Sequence, residues 1–486
     1  MLPKSAARRI RIDSYLFFFV TIALIVFLTH SPYLDLPFCG DEMGRFIPAA
    51  LDLFARGLWI PHLAAPGVPP PGLAAYLATT WNVFGYSIPI TRLAMLLLAS
   101  ACAFTAFLLA IQLCRHIGGT PAFSAVVLLL VSPLFYMQAM LAQPDLPATL
   151  FTLWALLLFL RNRYTAAALV SIPLVLVSGS GLVAPAVLGC WLAIEGKRKW
   201  AAWFVLPALA LAMWLLVTRF GDAPLASLHP GRIGAALLRR ALYLFLENFH
   251  WVGWIAIAAA WRRSRIFRNR PWRIAATLTL AYVLAVSLFG APLERHLMPV
   301  LPLVYIAMAA AWCAAPSQWM RFGQLALMAG LLFSLFWSSP FPYPVENNLA
   351  LVDFVRVQQS AATFLERNYP DRTVTTAWPL SSALNRPEYG YLSRAIAVRE
   401  MDDFGAASVA ALDPGSIRLL ALYSRQPETA WDPQGIPFVR GLLRRVYGYE
   451  PQVPPLEIER RFHFAPIARW QQRDQWLVIL APAGGQ

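Results

Sequence analysis

The sequence predicts a mainly α, polytopic membrane protein that ends in an extracytoplasmic α/β domain. Of its 486 residues, 58% are hydrophobic and only 13% are charged. A soluble protein of this size rarely carries so little charge, so the composition favours a chain that crosses a membrane several times. After residue 340 the long apolar runs stop, and the remaining chain has the composition of a soluble domain.

Apolar runs long enough to cross a bilayer recur along the first part of the chain. A transmembrane helix needs about 20 apolar residues, and fewer where its ends are buried in protein. The predicted spans, about eleven in number, cover residues 14–33, 88–113, 120–140, 146–160, 164–178, 181–194, 200–218, 243–260, 274–290, 297–314 and 321–338. Residues 1–339 are therefore predicted to form the membrane domain, with a long first outer loop at 34–87, and 340–486 a soluble domain.

Basic and acidic loops alternate between the predicted spans. The basic loops include "WRRSRIFRNRPWR" at 261–273, and their other cations are Lys4, Arg8, Arg9, Arg11, Arg115, Arg161, Arg163, Lys197, Arg198 and Lys199. The intervening loops hold most of the acids: Asp35, Asp41, Glu42, Asp52, Asp145, Asp222, Glu247 and Glu294. Lysine and arginine are retained on the cytoplasmic side of a membrane. We therefore expect a cytoplasmic N-terminus and an extracytoplasmic C-terminal domain, in a multi-pass protein of a bacterial inner membrane.

A second interpretation of the N-terminus is a secretory signal peptide, since basic residues precede an apolar core. The apolar run is long, however, and "LTHSPYLDLP" after it offers no small-residue cleavage site. A membrane-spanning first helix is therefore favoured.

The C-terminal region alternates helix-like and strand-like segments. "ENNLALVDFVRVQQSAATFLERN" (346–368) has the periodicity of a helix. "RTVTTAW", "RAIAVRE" and "SIRLLALYS" are typical of strands, and "FAPIARWQQRDQWLVILA" is typical of a hairpin that turns near Gln472 to Asp474. The pattern predicts a small α/β layer, in which the sequence contains no glycine-rich phosphate loop and no nucleophile motif.

The charge distribution and the cysteines exclude other classes of protein. The formal charge is +15, but residues 340–486 hold about fifteen arginines and about fifteen acids, so the excess lies in the membrane domain. A nucleic-acid binder would carry its basic patch on a folded soluble domain, so no nucleic-acid partner is expected. The five cysteines, at 39, 102, 114, 190 and 313, show neither a disulfide framework nor metal-ligand spacing.

Two adjacent acids, Asp41 and Glu42, follow the first predicted span in "LPFCGDEMGRF". The stretch "GDEMGRFIPAALDLFARG" has the pattern of a helix that lies along the membrane interface. Two interpretations of the pair remain open. In one, the acids cap this helix, whose N-terminus favours negative charge by about 0.3–1 kcal/mol. In the other, Asp41 works with a second acid in a cleft.

The second acid is Asp145, in "MLAQPDLPATLF", on the same predicted side of the membrane as Asp41. An ionisable residue at membrane depth is costly and usually has a task. Two acids that face one cleft could supply a general base for an acceptor hydroxyl. For Asp145, too, a helix cap is the alternative.

A cleft for an anionic donor also needs cations. "LERHLMPVLP" places Arg295 and His296 at the outer end of the tenth predicted span, and the planar guanidinium of arginine suits a phosphate. The alternative for Arg295 is a side chain that reaches toward lipid headgroups. His62, in a proline-rich stretch, either points into the cleft or makes a loop hydrogen bond. Weaker candidates are Arg92, Arg219, Arg239 and Arg240.

The order of these motifs resembles the GT-C glycosyltransferases, and within them it is closest to the protein O-mannosyltransferases and lipid A aminoarabinose transferases. The matching residues of the first loop are Asp41, Glu42, Gly57, Trp59, Pro61, His62, Pro70, Pro71 and Tyr76. "QPDLPATLF" resembles the second acidic motif of that group, and "ERHLMPVLPLVYI" resembles its late helix, in which basic residues precede Pro-x-x-Pro. The resemblance covers about residues 1–340.

The resemblance implies a membrane glycosyltransferase that moves a sugar from a polyprenyl-phosphate carrier to an acceptor hydroxyl of a protein, lipid or glycan, usually with inversion. It implies that Asp41 is the base and that Asp145 has a supporting or metal-associated role. Glu42 is expected as a third catalytic residue, in support of Asp41. Residues expected to contact the donor phosphate or substrate are Arg295, His296, His62, Arg92 and Tyr76. No cofactor is expected to be required; Mg or Mn held by Asp41 and Asp145 is the alternative.

The sequence also departs from that family. Val68 and Pro69 stand where relatives often have lysine, Gln143 and Pro144 stand where an arginine is common, and "SGSGLVAP" (178–185) lacks a cation. Donor contacts therefore differ, or activity is reduced. Two other classes stay open: a non-catalytic scaffold with this fold, and a lipid or solute transporter. Transporters usually show internal repeats and broken helices near the midplane, which are not evident in this sequence.

Overall fold

The computed structural model is mainly helical, and its C-terminal part contains one five-stranded sheet. It describes residues 4–62, 69–117, 120–218, 230–263, 266–289, 293–314, 318–337, 345–425, 437–447 and 451–483. The chain forms two compact units. The first comprises Met1–Leu34 and Ala49–Leu335, and the second comprises Asp35–Pro48 and Phe336–Gln486. The segment Asp35–Pro48 is thus folded with the C-terminal chain.

Most of the predicted spans are helices in the structure. In chain order the helices are α1 Lys4–His30, α2 Ile47–Arg56, α3 Gly72–Phe84, α4 Ile88–Leu113, α5 Thr120–Val131, α6 Pro133–Gln138, α7 Asp145–Leu160, α8 Tyr164–Val177, α9 Val183–Ile194, α10 Arg198–Ala201, α11 Val205–Val217, α12 Pro230–Phe245, α13 His250–Arg263, α14 Arg270–Phe289, α15 Leu301–Ala314 and α16 Gln318–Phe336. The predicted outer-loop helix is also present, as a π-helical turn and α2.

Within the described residues, four helical stretches are long and apolar enough to cross a membrane: Asp13–Tyr33, Ile88–Leu113, Arg198–Val217 and Arg270–Leu288. The pair Ile233–Phe245 and Glu247–Arg262, bent by 53°, is a fifth candidate. Several shorter apolar helices accompany them. The chain is therefore an integral membrane protein, while the count of eleven spans stays a prediction.

Two predicted spans are interrupted. The third is divided between α5 and α6 at Pro133, whose nitrogen carries no hydrogen-bond donor. The predicted span 243–260 covers parts of two helices. Helix α12 ends at Phe245, and Asn248, at φ 53°, separates it from α13, which begins at His250. Helix α12 was not predicted as a span, because Arg239 and Arg240 interrupt its apolar pattern.

The interior of the first unit is formed by α4, α7 and α15. Helix α4 packs on α7, α7 on α8, and α15 on α5. Nearly every side chain of α7 and α15 is buried. In contrast, α1 and α11 expose large apolar side chains such as Phe17 and Leu216, as expected for helices that face lipid. The N-terminal end of α7 and the turn before α15 therefore lie in the protein interior.

The second unit is a mixed sheet with helices packed on it. Its strands are β1 Val374–Ala377, β2 Val398–Met401, β3 Leu419–Tyr423, β4 Phe464–Gln472 and β5 Gln475–Pro482. Their order is β2-β1-β3-β5-β4; β1 is parallel to β2 and β3, and β5 is antiparallel to β3 and β4. The helices are α17 Ala350–Asn368, α18 Leu380–Asn385, α19 Ala406–Ala410, α20 Pro437–Tyr447 and α21 Pro455–Phe462.

These elements confirm the predicted small α/β layer. The predicted helix at 346–368 corresponds to α17, and the predicted hairpin to β4 and β5, which turn at Arg473 and Asp474. Strand β2 is shorter than "RAIAVRE" and begins only at Val398. Helix α17 packs on β4 and β5, and α18 packs on β1 and β2.

Candidate functional site

A buried polar cluster surrounds Asp145 in the first unit. Asp145 follows Pro144 as the first residue of α7, and its carboxylate is hydrogen-bonded to His296 Nδ1 at 3.0 Å. The Arg295 Nε lies 3.6 Å from the other carboxylate oxygen. Arg295 also donates through Nη1 to Gln143 Oε1 at 3.0 Å. The structure therefore brings together three predicted residues, Asp145, Arg295 and His296.

The local sequence explains how these side chains are placed. Residues Glu294–Leu297 form one 3-10 turn before α15, and this turn leaves Arg295 only 5% exposed. Pro147, in the first turn of α7, lacks a backbone donor where the helix would not use one. Asp145 stands where the N-terminus of the helix favours negative charge. A helix start and a turn thus hold the acid and the cations.

Glu294 extends the cluster toward α12. Its two carboxylate oxygens accept hydrogen bonds from Arg239, through Nε to Oε1 and through Nη2 to Oε2, the latter at 3.1 Å. Arg240 interacts electrostatically with Glu294 and with Tyr282, and Tyr282 Oη is hydrogen-bonded to Ser180 at 2.9 Å. Sequence reasoning did not select Glu294 as a site residue. Two adjacent arginines in an otherwise apolar stretch were the signal that could have pointed to a buried partner.

Positive charge exceeds negative charge in this cluster. Among the described residues that form it, three arginines face two carboxylates: Arg239, Arg240, Arg295, Asp145 and Glu294. All five side chains are buried. A buried charge is costly unless a charge of opposite sign or hydrogen bonds compensate it. The arrangement therefore suits an anionic ligand.

Asp41 and Glu42 lie in the second unit, in a turn that leads into the π-helical turn Glu42–Phe46. Gly40 has φ +58°, a left-handed conformation that glycine adopts without steric cost. The backbone N–H of Glu42 donates to Cys39 O at 3.2 Å. This tight turn leaves Asp41 partly exposed and buries Glu42 completely.

The two acids have different contacts. The Asp41 side chain makes no capping hydrogen bond to the helical turn that follows it, so the cap interpretation is wrong for Asp41. Glu42 has the capping contact instead, since its Oε2 accepts a hydrogen bond from the backbone N–H of Cys39 at 3.1 Å. Glu42 thus stabilises the turn that carries Asp41.

Three other predicted residues have contacts with the backbone or the loop around them. Tyr76 Oη donates to a carbonyl of α4 at 2.8 Å. Arg92 is fully buried and donates through Nη1 to Met140 O at 2.9 Å. The exposed His62 donates its backbone N–H to Asp52 Oδ2 at 2.7 Å. These contacts stabilise the fold locally, and the role of the three residues in a donor site stays a prediction.

No group of three or more His, Cys, Asp and Glu side chains that could hold a metal ion is found within the described part of the chain. The Mg or Mn site expected at Asp41 and Asp145 stays a prediction, because the two residues belong to different units. Arg219 and Val68, which the sequence analysis considered, lie outside the described residues.

Comparison with known proteins gives similarity in structure alone. No protein-family model matches the sequence, and no curated protein matches it. The structure is similar to a crystal structure of ArnT from Cupriavidus metallidurans in the apo state, with 15% sequence identity, a TM-score of 0.54, and 96% of this chain and 98% of that chain covered. For ArnT from the same organism bound to undecaprenyl phosphate, the identity is 14% and the TM-score 0.55, with the same coverage. The chain therefore has the fold of ArnT.

Proposed function

We propose that this chain is an integral membrane glycosyltransferase that moves a sugar from a polyprenyl-phosphate donor to an acceptor hydroxyl on the outer face of the membrane. The observation that carries the proposal is the buried, arginine-rich cluster at Asp145 and Arg295 in a chain with the fold of ArnT. ArnT has been crystallised with undecaprenyl phosphate, an anionic lipid. The first-loop motif around Asp41 supports the same class of reaction.

Arg295 is the residue that we assign to the donor phosphate. A guanidinium stays charged at physiological pH and offers paired donors to phosphate oxygens. Asp145 and Gln143 hold this guanidinium in place before any ligand arrives. A preorganised cation stabilises developing negative charge without a cost of reorientation during the reaction. Asp145 is therefore a positioning residue in this proposal.

In the proposed reaction the acceptor oxygen attacks C1 of the sugar. The bond between C1 and the phosphate oxygen breaks, and its electron pair leaves with the phosphate. The hydroxyl proton passes to Asp41, which acts as general base. Because the leaving group is a stable anion that arginine compensates, no strong general acid is needed. A single displacement of this kind inverts the configuration at C1, for a hexosyl or a pentosyl group alike.

The charge of the phosphate is met by arginine in this proposal, so transfer proceeds without a divalent cation. A requirement for Mg or Mn at Asp41 and Asp145 would appear as loss of transfer in EDTA that either metal restores.

In the same proposal the protein lies in a bacterial inner membrane, with a cytoplasmic N-terminus and an extracytoplasmic C-terminal domain, 340–486. The distribution of basic loops supports this orientation. The domain is then in the same compartment as the acceptor.

Two substitutions test the two ends of the reaction. The donor is first identified by mass spectrometry, as the polyprenyl-phosphate sugar that accumulates when the protein is deleted. Full-length variants Asp41→Asn and Arg295→Gln are then assayed in membranes for transfer from this donor. Asp41→Asn is expected to lower kcat by about a hundredfold or more with donor binding retained, and Arg295→Gln to weaken binding of undecaprenyl phosphate. The matched control is Arg273→Gln, which changes an exposed arginine. Unchanged transfer by Asp41→Asn at equal expression would refute the assignment of the base.

The same assays separate the proposal from its rivals. A scaffold would bind undecaprenyl phosphate through Arg295 without any transfer by the wild-type chain. A transporter would move its lipid or solute across vesicles, and Asp41→Asn would leave the chemistry of the lipid-linked sugar unaffected.

A further inference from the structure

One residue of the C-terminal sheet domain is hydrogen-bonded on both sides of Asp41, through its backbone on one side and its side chain on the other. The carbonyl of Tyr389 accepts a hydrogen bond from the backbone N–H of Phe38 at 3.1 Å. The hydroxyl of the same residue donates to the carbonyl of Met43 at 2.9 Å. All of these residues belong to the second unit, and Tyr389 is only 1% exposed. Tyr389 therefore ties together both flanks of the turn that carries Asp41.

The sequence of the turn explains why the Met43 carbonyl accepts a hydrogen bond from outside the helix. In a π-helical turn a carbonyl accepts from the N–H five residues later, and Ile47 N–H does so for Glu42. The corresponding residue for Met43 is Pro48, which has no N–H. A buried carbonyl without a donor is costly. The Tyr389 hydroxyl supplies the donor that Pro48 lacks.

The hydroxyl of Tyr389 is oriented by a second contact. Arg386 Nη1 donates to Tyr389 Oη at 3.1 Å. Because a guanidinium can only donate, the hydroxyl proton is directed away from Arg386 and toward Met43 O. Burial raises the pKa of Tyr389 above its ordinary value, so the hydroxyl keeps its proton. The donor is thus fixed in direction and in protonation state.

Two further elements of the same domain lie against the turn. Helix α18, which packs on β1 and β2, also contacts the π-helical turn. A Cβ at Gly44 would lie 3.8 Å from the ring of Trp378, at ordinary contact distance. Tyr423 Oη in turn donates to the carbonyl of Trp378 at 2.6 Å. The Asp41 turn is therefore packed on the end of the sheet as well as hydrogen-bonded to it.

We propose that Tyr389 is a positioning residue for the glycosyl transfer, which it serves by fixing the backbone on both sides of Asp41. The inference rests on the proposed function, in which Asp41 is the base. It gives the C-terminal domain a part in catalysis, through the position of the base, beyond any part in selecting the acceptor. A displacement of about 1 Å at a reacting group is enough to lower a rate on the order of a hundredfold, so the hydrogen bonds that hold Asp41 are expected to affect kcat.

The experiment uses the full-length chain in lipid nanodiscs and compares Tyr389→Phe with Tyr369→Phe. Tyr369 is in the same domain and half-buried, and its ring packs against the ring of Phe364. The first readout is independent of activity: the rate at which N-ethylmaleimide alkylates Cys39, which is 6% exposed and lies inside the turn. The second readout is kcat and the KM for the donor in the transfer assay.

We expect Tyr389→Phe to speed alkylation of Cys39 several-fold and to lower kcat about tenfold or more, with the donor KM within about twofold of wild type. Tyr369→Phe is expected to match wild type in all three. The second variant, Pro48→Ala, returns an N–H at the position that can serve Met43 O, so Tyr389→Phe/Pro48→Ala is expected to regain part of the lost kcat.

Two results overturn the inference. Alkylation of Cys39 at the wild-type rate in Tyr389→Phe shows that the hydroxyl hydrogen bond to Met43 O does not hold the turn. Faster alkylation with unchanged kcat shows that this hydrogen bond does not position the base. Failure of the proposed function is distinguishable from both, since the wild-type chain would then transfer no sugar while the alkylation rates still report on the turn.

Discussion

The buried carboxylate of Glu42 is hydrogen-bonded to the backbone nitrogen of Cys39, three residues earlier, at 3.1 Å. This contact closes the turn in which Gly40 and Asp41 lie. It resembles the reciprocal half of a capping box, in which an acid of the first helical turn reaches back to a preceding N–H. The adjacent acids thus divide their tasks: one stabilises the backbone, and the other is left partly exposed.

Removal of this acceptor should destabilise the turn. We expect Glu42→Ala to lower the free energy of unfolding by about 1–3 kcal/mol, because the buried N–H of Cys39 loses its hydrogen bond to the Glu42 carboxylate. Glu42→Gln keeps a carbonyl oxygen and should stay close to wild type. Thermal unfolding in detergent measures both, with the exposed Asp402→Asn as control. Equal losses in Glu42→Ala and Glu42→Gln would show that the charge, and not the hydrogen bond, matters.

The buried pair of Arg239 and Glu294 should show strong coupling. Each single change, Arg239→Gln or Glu294→Gln, removes one member of a buried, hydrogen-bonded ion pair, which costs about 3–5 kcal/mol. The double variant removes both charges, so its loss should be well below the sum of the single losses. A double-mutant cycle from thermal unfolding gives the coupling energy, expected at about 1–3 kcal/mol. Additive losses would contradict a direct interaction.

The parts of this molecule that depend on local pattern were predictable from the sequence. The second span was predicted at 88–113 and is helix Ile88–Leu113, and the hairpin turned where it was predicted to turn. An apolar run and a two-residue alternation are properties of neighbouring residues, so no knowledge of the tertiary fold is needed.

The parts that depend on distant partners were not predictable. Glu294 pairs with Arg239 across 55 positions, and Tyr389 reaches Met43 across 346. No periodicity marks such partners, and only the fold brings them together. The same reason explains why the sequence does not indicate that Asp35–Pro48, a part of the predicted first outer loop, folds with the C-terminal sheet.

A pH effect is expected at the end of α9. Glu195 accepts hydrogen bonds from Arg270 at 2.5 and 2.9 Å, and also from Lys197 and Trp191. The Arg270 hydrogen bonds, more than any other contact, lower the pKa of Glu195 from 4.5 to about 2. A depressed carboxylate pKa contributes stability that is complete above the unfolded value and is lost as pH falls through the folded value. The contribution is therefore full at pH 7 and disappears between about pH 4.5 and pH 2.

Arg270→Gln should remove this contribution. The midpoint of thermal unfolding of the variant is expected below that of wild type at about pH 7, and the difference should shrink as the pH is lowered toward about 2. The exposed Arg273→Gln, on the same helix, is the control and should follow wild type at every pH. A difference that is constant with pH would show that Arg270 stabilises the fold through packing and not through Glu195.

The Asp145 cluster predicts opposite responses to one ligand. Asp145→Asn removes negative charge beside Arg295 and His296, so the folded protein should lose stability. A bound phosphate should then stabilise this variant more than it stabilises the wild type. Arg295→Gln removes a cation, so the same ligand should stabilise that variant less than wild type. The measurement is the shift in the midpoint of thermal unfolding on addition of undecaprenyl phosphate. At a fixed concentration, a ligand that binds only the folded state raises this midpoint further the more tightly it binds. Arg273→Gln should shift as wild type does. If all variants shift equally, the anion binds elsewhere. Only a phosphate close to Arg295 would bind more tightly when the negative charge of Asp145 is removed and less tightly when the positive charge of Arg295 is removed.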